Sequence, residues 1–331
     1  MLGNNCNCNC KYCLQKKDNT LPSIINEDIF TFIEKEISKE RKNKLQILFY
    51  GGEPLLYIDT IREFLKRLRT RANYSIITNG KSLDMPIVNL LNRYNFNVTI
   101  SWDGKNSSKS RNYDVVSDKK ELLMKINHLC FSAVVNHYAY PKDILNDINE
   151  INKDYRKYHR NDIRFNIDSL YNFNNDINSV FSINKKKLSK QMKDMLIGYN
   201  TTNLEIENTY IKIINDICTP KNNEIYSMCG NGIYTLNMDL QGNLYLCHND
   251  YSKKLGTIYS DTDDYIDKYN SYYSIEKRFA ERCNDCKIKT FCKGGCMILK
   301  DENMEEYCSQ RKAMFECFFE LFGKLADIKE K

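Results

Sequence analysis

The stretch Cys6-Asn7-Cys8-Asn9-Cys10-Lys11-Tyr12-Cys13 decides how the rest of the chain is read. Taken as Cys-x3-Cys-x2-Cys, it selects Cys6, Cys10 and Cys13 and leaves Cys8 over. Three thiolates on one short loop can hold three corners of a cubane iron–sulfur cluster. Such clusters ordinarily take four cysteines, so three ligands leave one iron open to another group. Taken alone, the loop could equally hold zinc or be merely Cys-rich.

The chain has 331 residues, room for one large domain or two ordinary ones, with 42% hydrophobic and 28% charged residues as in globular proteins. No run of about 18 apolar residues is present, and the first residues carry no secretion signal, so no membrane partner and a cytoplasmic location are expected. The net charge of +6 is small, and Lys and Glu alternate along residues 33–42, which suggests solvated faces and no nucleic-acid partner. Fourteen cysteines, with four in residues 6–13 and eight between Cys229 and Cys317, fit metal binding or catalysis better than disulfides in a reducing compartment.

The first half alternates short apolar runs with helical patterns. Strands are expected over residues 45–50, 74–78, 97–101, 130–135 and 163–167. Helices are expected from an N-cap at Asn26, with Ile29, Phe32, Ile33 and Ile37 on one face, and over residues 60–69, 86–94, 118–129 and 141–158. Such alternation argues for an α/β fold with a parallel sheet and a site at the carboxyl ends of its strands.

Those ends carry the next motifs. Gly51-Gly52-Glu53-Pro54 follows the first strand, with glycines that let backbone approach a ligand and a carboxylate that can accept from an ammonium. It could also be only a strand-ending turn. Thr78-Asn79-Gly80 and Ser101-Trp102-Asp103-Gly104, with Arg111 beyond, end the next two. Together with the first loop and Tyr12 before its third Cys, these motifs resemble the radical S-adenosylmethionine (SAM) superfamily. The resemblance implies that Cys6, Cys10 and Cys13 hold the SAM-binding [4Fe-4S] cluster. It further implies SAM contacts by Tyr12, Gly51, Gly52, Glu53, Pro54, Asn79, Ser101, Asp103 and Arg111. The loop before Arg111 is short for the pattern, and a surface salt bridge is the alternative for that residue.

The C-terminal part alternates over residues 233–246 around Gln241-Gly242, a hairpin signal, between Cys229 and Cys247. Cys283-x2-Cys286-x5-Cys292-x3-Cys296 and Cys308 follow. Seven cysteines in this order resemble the SPASM extension of radical SAM proteins. The fold implied is a partial (β/α)6 TIM-like barrel over residues 1–170, a helical bridge over 171–215 with helices at 183–199 and 204–217, and a Cys-rich SPASM domain with a hairpin and a C-terminal helix over 216–331. Two auxiliary [4Fe-4S] clusters are implied, one on Cys229, Cys247 and Cys296, the other on Cys283, Cys286, Cys292 and Cys308. Cys218 is the candidate fourth ligand of the first; a buried helix-end thiol is its alternative. Only five residues precede Cys6, so the first barrel strand is expected to be truncated or replaced by pairing from the loop itself, and no N-terminal leader-binding domain is expected.

The resemblance implies reductive cleavage of SAM to a 5′-deoxyadenosyl radical, driven by an external one-electron donor such as flavodoxin or ferredoxin, and hydrogen abstraction from a peptide or protein substrate. Crosslinking, epimerisation and oxidation are the outcomes implied. The alternatives are a radical oxidoreductase of a small molecule, such as an amino sugar or amino acid, and a zinc-binding module. Asp250 is a candidate base and Cys130 a candidate hydrogen-atom donor; a turn Asp and a core thiol are the plainer readings. His248 reads as a polar loop residue and Cys317 as core, and Cys8 has no evident role.

Overall fold

Five short apolar runs form one parallel sheet in the computed structural model, which describes residues 1–15, 21, 24–39, 45–69, 71–173, 176–202, 231–232, 235–272, 281–292 and 294–329. The strands are β1 (Gln46–Phe49), β2 (Asn73–Thr78), β3 (Asn97–Ser101), β4 (Leu129–Val134) and β5 (Arg164–Asp168), side by side in chain order. Helices α1 (Asp28–Lys39), α2 (Ile58–Leu68), α3 (Met85–Arg93), α4 (Ser107–Arg111), α5 (Val115–Leu123) and α6 (Pro141–Tyr155) precede or connect them. This is the expected α/β order, the partial barrel of the sequence reading.

Period-2 alternation separates the two faces of the sheet. Tyr74, Ile76, Val98, Ile100, Phe131, Ala133, Phe165 and Ile167 are buried on one face and join the helices in a single core. The other face carries Ser75, Thr99, Ser101, Ser132 and Asn166, all half-buried, and ends on Asp168. Burying apolar side chains against helices supplies the stabilisation, while the polar inner face leaves a recess for a ligand.

Residues 2–5 run beside the end of β1 and the segment after it. The Leu2 amide donates to Tyr50 O at 2.9 Å, the Gly52 amide to Gly3 O at 2.8 Å and the Glu53 amide to Asn5 O at 2.8 Å. These bonds hold the segment that leads into the Cys loop against the end of β1.

Three helix starts follow side-chain caps. Asn26 Oδ1 accepts from the Asp28 amide at 3.0 Å, as its reading as an N-cap expects. Asp84 accepts from the Ile87 amide at 2.8 Å ahead of Pro86. The helix expected over 118–129 starts earlier, at Val115, because the Asp114 carboxylate caps the Val116 amide at 3.1 Å, and it ends at Leu123. The five-residue α4 was not legible, since Ser107–Arg111 has no apolar periodicity.

Beyond the sheet, α7 (Lys185–Thr202) packs against α6 and against α10 (Met304–Lys329). The helix expected over 204–217 lies outside the described residues. The hairpin forms from β6 (Asn237–Met238) and β7 (Asn243–Cys247), and β8 (Asp250–Thr257) adds a third antiparallel strand that the sequence reading did not include. Helix α8 (Thr262–Tyr272) and the short α9 (Lys289–Cys292) complete this part. Among the described residues no helix is long and apolar enough to cross a membrane.

A Cβ added at Gly52 would lie 2.4 Å from the carbonyl oxygens of both Asn4 and Asn5. Gly52→Ala is expected to lose about 1–3 kcal/mol of stability, as overpacked sites do. Urea unfolding checks this, and an unchanged midpoint would show that residues 2–5 are not held against β1.

Candidate active site

The Cys loop is fastened across the carboxyl ends of the strands by polar side chains, because the loop itself has few apolar atoms to bury. Asn79, just past β2, donates to Asn7 Oδ1 at 2.9 Å, and Asn7 donates to Ser82 Oγ at 2.9 Å. On the other side the Lys11 amide donates to Ser110 O at 2.8 Å and Asn112 Nδ2 to Asn9 O at 2.6 Å. Asn79 Nδ2 also lies 3.7 Å from Cys6 Sγ, within sulfur hydrogen-bond range.

The four loop thiols form no disulfide and differ in exposure. Cys13 is exposed, Cys6 and Cys10 are half-buried, and Cys8 is buried. Burial pushes the Cys8 thiol up to about 11 and the Cys10 thiol up to about 12, with Arg111 opposing the second shift. Among the described residues no three His, Cys, Asp or Glu side chains converge as they do around a single ion. A cubane needs no such convergence, since each thiolate takes its own iron.

Asp103 is the hub of the site. Its carboxylate accepts from Tyr12 Oη at 2.5 Å, Ser110 Oγ at 2.6 Å, Arg111 Nη2 at 3.0 Å, the Val134 amide at 3.0 Å and Asn136 Nδ2 at 3.3 Å. It is fully buried, and the Arg111 side chain is 11% exposed. Burial alone would lower the pKa of the guanidinium; Asp103, Tyr12 and Cys10 outweigh it and hold Arg111 charged. Arg111 Nε is buried without a hydrogen-bond partner, and the guanidinium stands 5.3 Å from the Tyr12 ring centroid. The short loop before Arg111 is thus explained: α4 turns it back under the Cys loop.

Glu53 is also fully enclosed. Oε1 accepts from Thr78 Oγ1 at 2.5 Å and the Leu55 amide at 3.0 Å, and Oε2 from the Asn79 amide at 2.8 Å. Burial raises its carboxyl pKa while these donors oppose the shift. Pro54 opens the short 3-10 turn that Glu53 caps. Gly51 and Gly52 make their close approach to the backbone of residues 3–5. Ser101 ends β3 on the inner face, opposite Ser132.

The remaining predicted residues divide. Cys130 is buried on the register row of Thr99 and Arg164, at the amino end of β4. Four residues of strand, about 13 Å, separate it from Val134 at the top of the sheet. Asp250 accepts from the Ser252 amide at 3.0 Å and Ser252 Oγ at 2.6 Å, as a turn Asp does. Cys317 is core, its thiol 3.4 Å from Met314 O.

In the C-terminal part, Cys308 is within electrostatic reach of Cys283 and Cys286, and Cys292 of Cys308 and Cys286. Cys247, at the end of β7, has the Asn249 amide 3.4 Å and Asn231 Nδ2 3.8 Å from its sulfur. Cys296 lies near Tyr171 and Tyr307. Cys218 and Cys229 lie outside the described residues.

Two positions were missed in the sequence. Tyr50 Oη donates to Asn249 Oδ1 at 3.1 Å, and its ring meets His248 edge-on at 4.3 Å. It lies within reach of both Cys13 and Cys247 and so connects the two Cys-bearing parts. Burial lowers the His248 imidazole to about 4, so it is neutral there. Asp168 ends β5 on the inner face, reached by solvent yet surrounded by protein. Burial raises its carboxyl pKa against the pull of Arg311, Asn166, Arg111 and Ser132. Such a carboxylate can accept a proton or hold an ammonium. The signal for both was their place at strand carboxyl ends.

This arrangement defines the class, and the comparisons agree with it. Residues 1–154 match the family model described as Radical SAM superfamily. The chain is 26% identical, over 90% of its length, to the radical SAM cyclopropyl synthase TigE of Paramaledivibacter caminithermalis, and covers 66% of that protein. It is 25% identical, over 94% of its length, to the cysteine-type anaerobic sulfatase-maturating enzyme of Clostridium novyi, and covers 92% of it. The solved structure of native anSMEcpe with bound AdoMet superposes with a TM-score of 0.73 at 20% identity, over 98% of this chain and 97% of that one. Streptococcus suis SuiB bound to S-adenosylmethionine gives 0.64 at 16% identity, over 89% of this chain and 71% of that one. The family match is thus carried by residues 1–154, the chain is an enzyme, and its fold is a partial barrel with a Cys-rich extension.

Asp103→Ala would leave Arg111 buried without its partner. The expected loss is about 3–5 kcal/mol of stability, with Asp103→Asn losing less. Chemical denaturation of both variants measures it; equal stability to the parent protein would remove Asp103 as the hub.

Proposed function

We propose that this enzyme cleaves SAM reductively at a [4Fe-4S] cluster on Cys6, Cys10 and Cys13 and modifies a peptide or protein substrate in the recess at the carboxyl end of the sheet. The observation that carries the reading is the sorting of the loop cysteines: of those at the family spacing Cys13 is exposed and Cys6 and Cys10 are half-buried, while the extra one, Cys8, is buried. The residues present fit the group, with three soft donors on one loop and the cationic Arg111 beside Cys10. When bound, the cluster and SAM supply a 5′-deoxyadenosyl radical that takes a hydrogen from substrate carbon.

The chain's own residues bind, orient and enclose. Asn79, Ser110 and Asn112 hold the loop, and Tyr12 and Asp103 fix its third Cys against α4. Gly51, Gly52, Glu53 and Pro54 shape the ledge beside it, where Glu53 orients the Asn79 amide. Arg111, with its unpartnered buried Nε, is suited to a carboxylate, and Ser101 to a hydroxyl or carboxylate on the inner face. In the C-terminal part, Cys283, Cys286, Cys292 and Cys308 make one auxiliary site, and Cys247, Cys296, Cys229 and Cys218 a second, for three [4Fe-4S] clusters in all. The domain limits remain those of the sequence reading, at residues 170 and 215. Asp168 replaces Asp250 as the carboxylate facing the recess.

A peptide substrate is supported by relatives: anSMEcpe has been solved with bound AdoMet and the Cp18Cys peptide, and SuiB with precursor peptide SuiA. The reducing electron comes from an external carrier such as flavodoxin or ferredoxin.

Anaerobic reconstitution is expected to give about twelve irons per chain, four for each cubane. Cys6, Cys10 and Cys13 changed together to Ala should keep about eight and form no 5′-deoxyadenosine with dithionite. Continued formation would refute the assignment of the loop. Incubation of the loaded enzyme with SAM and peptides encoded beside its gene, read by mass spectrometry, should show a mass change in one peptide; a change confined to a small metabolite would overturn the peptide reading.

A further inference from the structure

The chain is close to charge balance, with 49 Lys and Arg against 43 Asp and Glu. Around the first Cys loop the balance is lost. The segments that frame it, residues 5–15, 79–83 and 104–113, contain Lys11, Lys81, Lys105, Lys109 and Arg111 and no Asp or Glu. Arg111 is turned inward to Asp103, and Lys105 pairs with Asp147 and Glu150.

Lys11, Lys81 and Lys109 pair with no carboxylate among the described residues. Their ammonium groups stand over tyrosine rings instead: Lys11 and Lys109 at 5.7 and 5.9 Å from the Tyr138 centroid, Lys81 at 5.4 Å from that of Tyr113. Some surface lysines elsewhere do find carboxylates, as in Lys39–Glu36, Lys120–Asp154 and Lys157–Asp154. Three ammonium groups thus lie around one loop, fixed by aromatic faces and uncompensated, beside the exposed thiol of Cys13. A field of one sign attracts an oppositely charged partner and raises its encounter rate.

We propose that Lys11, Lys81 and Lys109 form the docking rim for an acidic one-electron carrier protein that seats over the first Cys loop. The inference rests on the function proposed above, which needs one electron per SAM cleaved at that loop. The reduced carrier loses one electron, the oxidised cluster gains it, and no bond forms between the proteins. A protein carrier fits because the rim is spread over three segments, wider than a small reductant needs.

The test uses the full chain, anaerobically reconstituted, with reduced flavodoxin as the probe and dithionite as the small reductant. Lys81 Nζ also donates to Asn7 O at 3.2 Å, so the deciding variant is Lys109→Glu, which touches no loop atom; Lys81→Glu/Lys109→Glu adds the second charge. Lys66→Glu, exposed on α2, is the control. For the double variant, flavodoxin affinity by titration and flavodoxin-driven 5′-deoxyadenosine formation should both fall at least about tenfold, and for Lys109→Glu about threefold, with the parent protein's affinity falling steeply from about 50 to 300 mM salt. Dithionite-driven rates and the Lys66→Glu control should stay within about twofold of the parent protein, since neither depends on the rim field. The proposal is overturned if flavodoxin affinity is unchanged and independent of salt, if dithionite-driven rates fall equally, or if only the KM of a peptide substrate moves, which would make the rim a site for acidic peptide. If the parent protein forms no 5′-deoxyadenosine even with dithionite, the functional reading fails, while flavodoxin affinity still decides the rim.

Discussion

The buried Asp103 carboxylate is the constraint on which the rest of the site depends. Five donors reach it, from the Cys loop, α4 and the segment running from the end of β4 to Asn136. None of these segments could be placed by apolar packing alone, because loop and turn are rich in Asn, Ser and Cys. A carboxylate taken from water must be fully satisfied to be tolerated, and a half-satisfied one is costly. That requirement selects one arrangement of the three segments: the third Cys of the loop is fixed by its neighbour Tyr12, and Arg111 is drawn beneath it. Buried ion pairs contribute little net stability but can specify geometry. Here the geometry specified is that of the first Cys loop.

The parallel sheet was legible because its strands alternate or run apolar and end in turn residues, and each observed strand lies within about a residue of its expected place. The inner elements that define the site were less so. Helix α4 has no hydrophobic period, and β8 carries Lys253 and Lys254 in an edge strand that reads as a loop. The Gly51-Gly52 pair signalled a close backbone approach, and there is one; its partner is the chain's own residues 3–5. The loop before Arg111 is short in sequence because α4 occupies it. Asp168 was hidden for a different reason: in sequence it is one more Asp after an apolar run, and only the register shows it facing inward.

The Cys-rich part is joined to the barrel at several points. Tyr50 reaches Asn249, whose amide meets Cys247, and Arg311 of α10 donates to Ser169 beside Asp168 at 3.2 Å while bonding Cys292. The Asn26 amide donates to Leu240 O at 2.7 Å, so α1 is tied to the hairpin as well. Hence the first Cys loop and the Cys-rich part both lie against the sheet. In the proposed reaction the loop holds the group that takes hydrogen and the Cys-rich part the groups able to take an electron, an arrangement that neither part could supply alone.

The central claim is that SAM binds the open iron of a cluster on the first loop. It is tested most directly by electron–nuclear double resonance on the reduced, reconstituted protein with SAM labelled at its amino nitrogen and carboxylate oxygens. Hyperfine coupling of both labels to one cluster is the expected result. A protein that binds SAM but shows no coupling to any iron, or that holds only zinc, would contradict the account.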